Sequence, residues 1–225
     1  MSRADGVAAL DPAALEVLEH APAAVISDAL DRLGYRDQVL DLAIRPLWPD
    51  ARLAGVAVPI VIVADTSEPS LPYDGELTAL DGLAPGEVPL LAVEAGVRAA
   101  SWGELFSCAA RGRGASGVVI DGLARDAAAI QALGFPAFAR GLSPLDTFAR
   151  ARVSGINVAA VVGGVTVTPG DFVVADVDGI VVVPRGTVSD TAEAVATKHR
   201  LEGNARDDLL AGMGIRAVWE KYGVL

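Results

Sequence analysis

Two short stretches of the chain carry residue types that could work together chemically. One is Arg125-Asp126, which follows the apolar run 117–120 and the pair Asp121-Gly122. An arginine can clamp a carboxylate with two parallel hydrogen bonds. An aspartate can hold a hard cation such as magnesium. The other stretch is Gly103-Glu104-Leu105-Phe106, which opens a predicted helix. The first turn of a helix has free N–H groups and the positive end of the dipole, so it suits a carboxylate or phosphate. Taken singly, each residue also has a plain structural reading. Asp126 and Glu104 could be first-turn acids favoured by the dipole. Arg125 could be a surface ion pair worth about 0–1 kcal/mol, and Asp121-Gly122 could be a turn.

Other chemistries lack their parts. His20 and His199 are the only histidines, which excludes a multi-histidine zinc site. No nucleophile elbow supports a serine triad. The glycines of "GRGASG" lack the lysine of a phosphate loop. Lys198 and Lys221 are the only lysines. Cys108 is expected to be a small buried apolar residue. As the only cysteine it allows no intrachain disulfide, and a reducing, cytoplasmic compartment is expected. The net charge of −11 argues against nucleic acid as a partner, because phosphates would be repelled. Asp5, Asp11 and Glu16 argue against a signal peptide. No run of about 18 apolar residues suggests a membrane span.

The elements that must position these residues form an alternating pattern. Asp11-Pro12 marks a helix start, and "APAAVISDALDRLG" reads as a second helix. "RLAGVAVPIVIVA" is a strand in which Pro59 implies an edge or a bulge. Residues 65–75 are a long polar connection of the kind that often carries function. A short helix, a turn and a strand follow, then the helix from 103, a buried strand ending at Asp121-Gly122, and the helix after Arg125. From 152 to 184 strand follows strand, with turns at Gly163-Gly164, Pro169-Gly170-Asp171 and Asp178-Gly179. The acids Asp171, Asp176 and Asp178 are assigned structural roles in these turns. A long polar helix closes the chain, with a break expected at Gly203. Alternating βα units followed by a β-rich run predict one mixed α/β domain over residues 1–225, with a helical tail from about 187.

The stretch "WGELFSCAARGRGASGVVIDGLARDAAAIQALGFPAFARGLSP", with "GGVTVTPGDFVVADVDGIVVVP" after it, resembles the RraA-like family. That family comprises class II, metal-dependent 4-hydroxy-4-methyl-2-oxoglutarate / 4-carboxy-4-hydroxy-2-oxoadipate aldolases and the regulator of ribonuclease E activity. Its motif is an acid, twenty residues, then Arg-Asp, met here by Glu104 and Arg125-Asp126. The resemblance implies an αββα sandwich of the swivelling-domain type, assembled as a trimer or a pair of trimers. It implies that Asp126 binds Mg2+ or Mn2+ directly and that Glu104 acts through water. Glu202 of a neighbouring subunit would act the same way. It further implies that a pyruvate-like carboxylate rests on the amides near Gly103, Leu105 and Phe106, beside Arg125.

The function these resemblances imply is a lyase that cleaves a C–C bond of a 2-oxo acid through a metal-stabilised pyruvate enolate. Aldol cleavage of a 4-hydroxy-2-oxo acid and oxaloacetate decarboxylation share that path. The alternatives are a non-catalytic, protein-binding regulator of an RNase or helicase, and a different metal-dependent sugar-acid lyase or isomerase. Three positions depart from the family patterns. Glu104 replaces the aldolases' aspartate, Ala129 replaces an acid of the regulator branch, and "DTSEPSLPYDG" replaces a Gly-Asp-Asn-type segment.

Overall fold

The computed structural model describes residues 10–224. Asp5, one of the acids that argued against a signal peptide, lies outside the described residues. The elements in chain order begin with helices α1 (Pro12–His20) and α2 (Ala23–Arg32) and strands β1 (Arg45–Pro46) and β2 (Leu53–Ala64). Next come α3 (Asp74–Asp81), β3 (Glu87–Val93), β4 (Ala100–Trp102), α4 (Glu104–Gly112), β5 (Val118–Ala124), α5 (Ala127–Leu133) and β6 (Ala137–Leu142). Strands β7 (Ala151–Ile156), β8 (Ala160–Val162), β9 (Val165–Val167), β10 (Phe172–Ala175) and β11 (Ile180–Val183) follow. The helices α6 (Val188–Leu210) and α7 (Ile215–Tyr222) end the chain.

The sheet order is β1-β6-β5-β3-β2-β10-β11, with β4 beside β5 and β7 beside β2, while β8 and β9 form a separate hairpin. Strands β2, β3, β5 and β6 run parallel, and β10 and β11 join antiparallel. Both faces of these strands are apolar, and their residues alternate between two cores as a period of two requires. Val119 of β5, Phe138 of β6, Val173 of β10 and Val182 of β11 share one cluster. Strands from both ends of the sheet therefore meet on its inner face, so the sheet curls onto itself. Val118 and Ile120 face outward to α3, α4 and α5. Phe172, Val174, Val181 and Val183 face outward to α1, α2 and α6. Helix, sheet, sheet and helix are thus stacked, as the expected αββα sandwich requires.

Several local expectations are corrected. Pro59 lies at neither an edge nor a bulge. One side of β2 pairs with β3 from Val56 to Ile62, while its other side changes partner, from β10 up to Val56 to β7 from Ile60. The Asn157 N–H donates to the Pro59 carbonyl at 2.8 Å, so the missing proline N–H falls in the gap between the two partners. The register shift comes later, between Val61 and Ile62. Asp121-Gly122 is not a turn, because β5 continues through it to Ala124. There β5 passes from β3, at Asp121, to β4, at Leu123. A Cβ on Gly122 would sit 2.8 Å from Val93, so only glycine allows this approach. Helix α6 runs unbroken through Gly203, held by Leu201, Ala205 and Leu209 packed with Val218 of α7. That burial outweighs the roughly 1 kcal/mol a helical glycine costs. Cys108 is exposed rather than buried, because α4 turns Ser107 and Ala110 inward.

Two of the three acids of the β-rich region, Asp171 and Asp176, do cap and brace. Asp171 accepts from the N–H groups of Thr168 and Arg185. Asp176 accepts from Asp178 N–H and from Ala23 N–H, the first amide of α2. None of the helices in the described residues is long and apolar enough to cross a membrane.

Candidate active site

Strands β4 and β5 lie side by side and parallel, with Trp102 opposite Ala124. Each runs straight into a helix at its carboxyl end, where α/β proteins place their ligands. The Arg125 N–H donates to the Trp102 carbonyl at 2.9 Å, which locks the two ends together. Gly103 is thereby pressed against Arg125-Asp126. A Cβ at Gly103 would come within 2.8 Å of Asp126 Oδ2 and 3.1 Å of Arg125 Cγ. The backbone of Gly103 is extended and open to any residue, so what glycine secures is the place of the Asp126 carboxylate, which a Cβ would push aside.

The start of α4 is pinned from inside. Trp102 Nε1 donates to Ser107 Oγ at 2.8 Å, and the Ser107 hydroxyl donates back to the Gly103 carbonyl at 3.1 Å. Phe106 packs edge-on against Trp102, with ring centroids 5.8 Å apart. Leu105 is 78% exposed and forms a lip.

Asp126 does not cap its own helix. Its backbone is left-handed, with φ 58° and ψ 32°, and its carboxylate makes no bond to α5. Instead Oδ2 accepts from the Glu104 N–H at a long 3.3 Å, at the amide end of α4. The same oxygen is 3.6 Å from Arg125 Nε. On the other side of Arg125, Nη1 donates to Asp146 Oδ2 at 2.7 Å. Asp146 Oδ1 accepts from the Tyr73 hydroxyl at 2.8 Å and from the Phe148 N–H at 2.7 Å. Burial opposes the Asp146 charge, but Phe148, Tyr73 and Arg125 together hold its carboxyl below the ordinary value. Its bond to Asp146, with some burial, raises the Tyr73 hydroxyl.

These residues border a cleft of about 690 Å³ whose walls include Tyr73, Trp102, Leu105, Phe106, Arg125 and Asp146. Gly103, Glu104 and Asp126 line it too. Every residue predicted for the site within one chain is therefore brought together. Glu202 is not. It lies on α6, where its carboxylate pairs with Lys198, a buried lysine that also reaches Asp28 at 3.0 Å. Two residues of the site, Tyr73 and Asp146, were not anticipated. The local signals were the polar loop ending at Tyr73 and the Ser143-Pro144 turn before Asp146.

Four carboxylates, Asp81, Glu104, Asp126 and Asp146, line the cleft with a single guanidinium, Arg125. An anionic ligand entering this surplus of negative charge needs a cation beside it. The donors in the cleft are hard carboxylate oxygens. That fits magnesium or manganese, which bind through one or two carboxylates and keep several waters.

Residues 23–182 match the RraA-like family, described as Aldolase/RraA. The chain is 31% identical to a protein of Halalkalibacterium halodurans provisionally named 4-hydroxy-4-methyl-2-oxoglutarate aldolase, over 89% of this chain and 90% of that protein. A crystal structure from Pseudomonas syringae pv. tomato superposes with a TM-score of 0.84 at 27% identity, covering 95% of each chain. The Streptomyces coelicolor RraAS2 structure, described as an unusual member of the RNase ES inhibitor RraA protein family, gives a TM-score of 0.78. It is 24% identical and covers 87% of this chain and 96% of that one, so it bears on the fold alone.

Proposed function

Because the chain belongs to the RraA-like family, we propose that it is a divalent-metal-dependent lyase cleaving a C–C bond of a 2-oxo acid to release pyruvate or a close relative. The observation that carries this reading is the meeting, in one cleft, of an Asp126 carboxylate unused by its own helix, the amide end of α4 and Arg125. Asp126 would hold Mg2+ or Mn2+, and Glu104 would reach it through water. A divalent ion there supplies Lewis acidity for the electron pair that C–C cleavage leaves beside the keto group.

The chain's own groups do the rest. The amides of Leu105 and Phe106 and the Arg125 guanidinium fix the substrate carboxylate and offset its charge. Glu104 orients the water that returns a proton to the substrate carbon. Trp102, Leu105 and Phe106 wall the reacting end from bulk water. Aldol cleavage and oxaloacetate decarboxylation leave the same three-carbon fragment, so one arrangement serves both. No lysine is needed, which separates this chemistry from a Schiff-base aldolase. Glu202 enters only from a second copy of the chain, so a trimer or a pair of trimers belongs to the same proposal.

A lactate dehydrogenase-coupled assay over oxaloacetate and 4-hydroxy-2-oxo acids, with and without EDTA, tests the proposal. Pyruvate release that needs added Mg2+ or Mn2+ is the expected result. Turnover untouched by EDTA, or none at millimolar metal, overturns it. Mass spectrometry of the products over a sugar-acid library separates this lyase from another lyase or isomerase on the same site.

A further inference from the structure

We infer that Asp146 is a positioning residue for Arg125, fixed in turn by Tyr73, and that this chain of three sets which edge of the guanidinium meets an anionic substrate. The three residues come from different segments. Arg125 follows β5, Asp146 lies in the loop after β6, and Tyr73 ends the polar loop before α3.

Both Asp146 oxygens are committed. Oδ1 takes the Tyr73 hydroxyl and the Phe148 N–H, and Oδ2 takes Arg125 Nη1. A carboxylate tied at two points besides the arginine, by the Tyr73 hydroxyl and the Phe148 N–H, cannot follow a moving arginine, so the arginine is the group being placed. Its Nε is turned to Asp126 at 3.6 Å. Nη2 is the guanidinium nitrogen with no protein partner among the described residues. The edge carrying Nη2 is therefore what the cleft offers to a carboxylate.

Tyr73 is itself held in an uncommon backbone state, with φ 62° at the end of its loop. Such a state costs about 1 kcal/mol or more for a bulky residue and persists only where its surroundings demand it. The Tyr73 hydroxyl bond to Asp146 is the contact that ties this loop to Arg125. The polar loop 65–73 thus acts on the reacting end of the cleft without touching the substrate there. Arg125 and Asp146 are each about one third exposed, so water screens the pair. Direction is then a larger effect than charge, and it shows more in substrate binding than in the bond-breaking step.

The kinetic arm of the test rests on the proposed function, and the structural arm does not. For turnover of oxaloacetate, Asp146→Asn is expected to raise KM by about tenfold and leave kcat within about threefold. Tyr73→Phe is expected to raise KM by about threefold. In an Arg125→Ala background, Asp146→Asn should add nothing further, because its whole effect runs through the arginine. Wild-type KM in Asp146→Asn, or an undiminished effect in the Arg125→Ala background, overturns the inference. Crystal structures of Asp146→Asn and Tyr73→Phe give the second arm. A guanidinium turned away from its wild-type direction in Asp146→Asn supports the inference, and an unmoved guanidinium overturns it. If the wild type cleaves no 2-oxo acid, the proposed function fails and the crystallographic arm alone decides.

Discussion

Two carboxylates in this molecule do the same thing on paper. Asp176 and Asp126 each come from outside a helix and accept its first N–H, Asp176 for α2 and Asp126 for α4. The Asp176 bond is 2.8 Å, its side chain is only 14% exposed, and Arg52 stands behind it at 3.7 Å. Its other oxygen is taken by Asp178 N–H. The Asp126 bond is 3.3 Å, its side chain is 45% exposed, and its backbone is left-handed. One helix end is sealed, while the other is left ajar onto a cleft with a free guanidinium edge. The same local motif serves stability where its valences are filled and can serve chemistry where they are not.

The predictions push on that contrast. Asp126→Ala should lower kcat/KM by on the order of 10³-fold in the coupled assay, since it removes the sole direct metal ligand proposed. Its melting temperature should change little, because the bond it loses is long and exposed. Arg125→Ala should lower kcat/KM by about 10²-fold, raising KM and lowering kcat together. Gly103→Ala should cost about 10-fold or more, because its Cβ would displace the Asp126 carboxylate while leaving every charge in place. Asp176→Ala should do the reverse of Asp126→Ala. Activity per folded molecule should hold, while stability falls by about 1–2 kcal/mol, or about 2–8 °C in a thermal melt. A large activity loss in Asp176→Ala, or a large stability loss in Asp126→Ala, would erase the distinction.

The smallest effect concerns Glu76, a buried carboxyl on α3 near Tyr73 and Asp146. Burial pushes its pKa above the ordinary carboxylate value; its own backbone N–H pulls it down, and Asp146 adds to the rise. The folded state therefore holds this proton more tightly than the unfolded chain does. Stability is lost as pH climbs from the ordinary carboxylate range through the raised value. Glu76→Gln should then be more stable than wild type above that window, with the gap closing in acid. Urea melts at a series of pH values read this directly.

Much of the architecture was legible because the signals were local. Strands β10 and β11 are continuous apolar runs bounded by Gly and Asp turns, and Asp11-Pro12 starts α1 as its residue types predict. What escaped was decided at a distance. Pro59 is tolerated because partners about 100 residues away divide the strand between them. Asp121-Gly122 looks like a turn until Val93 is placed against it. Gly203 stays helical because Leu201 and Ala205 on either side of it pack against α7. The site divides in the same way. Glu104, Arg125 and Asp126 stand in a recognisable spacing on adjoining strand ends. Tyr73 and Asp146 meet across 73 residues, and the loop signals in each stretch mark a connection without saying that the two touch.

The divided strand β2 bears on how the protein is made. Its parallel neighbour, β3, leaves the ribosome soon after it, and the strand ends that carry Gly103 and Arg125 follow at once. Its antiparallel neighbours are translated last, β7 from residue 151 and β10 up to residue 175. Until then a twelve-residue apolar strand waits with one flank bare, the state in which nascent chains stick to one another. A chain stopped near residue 150 would carry a nearly finished cleft on a sheet it could not close.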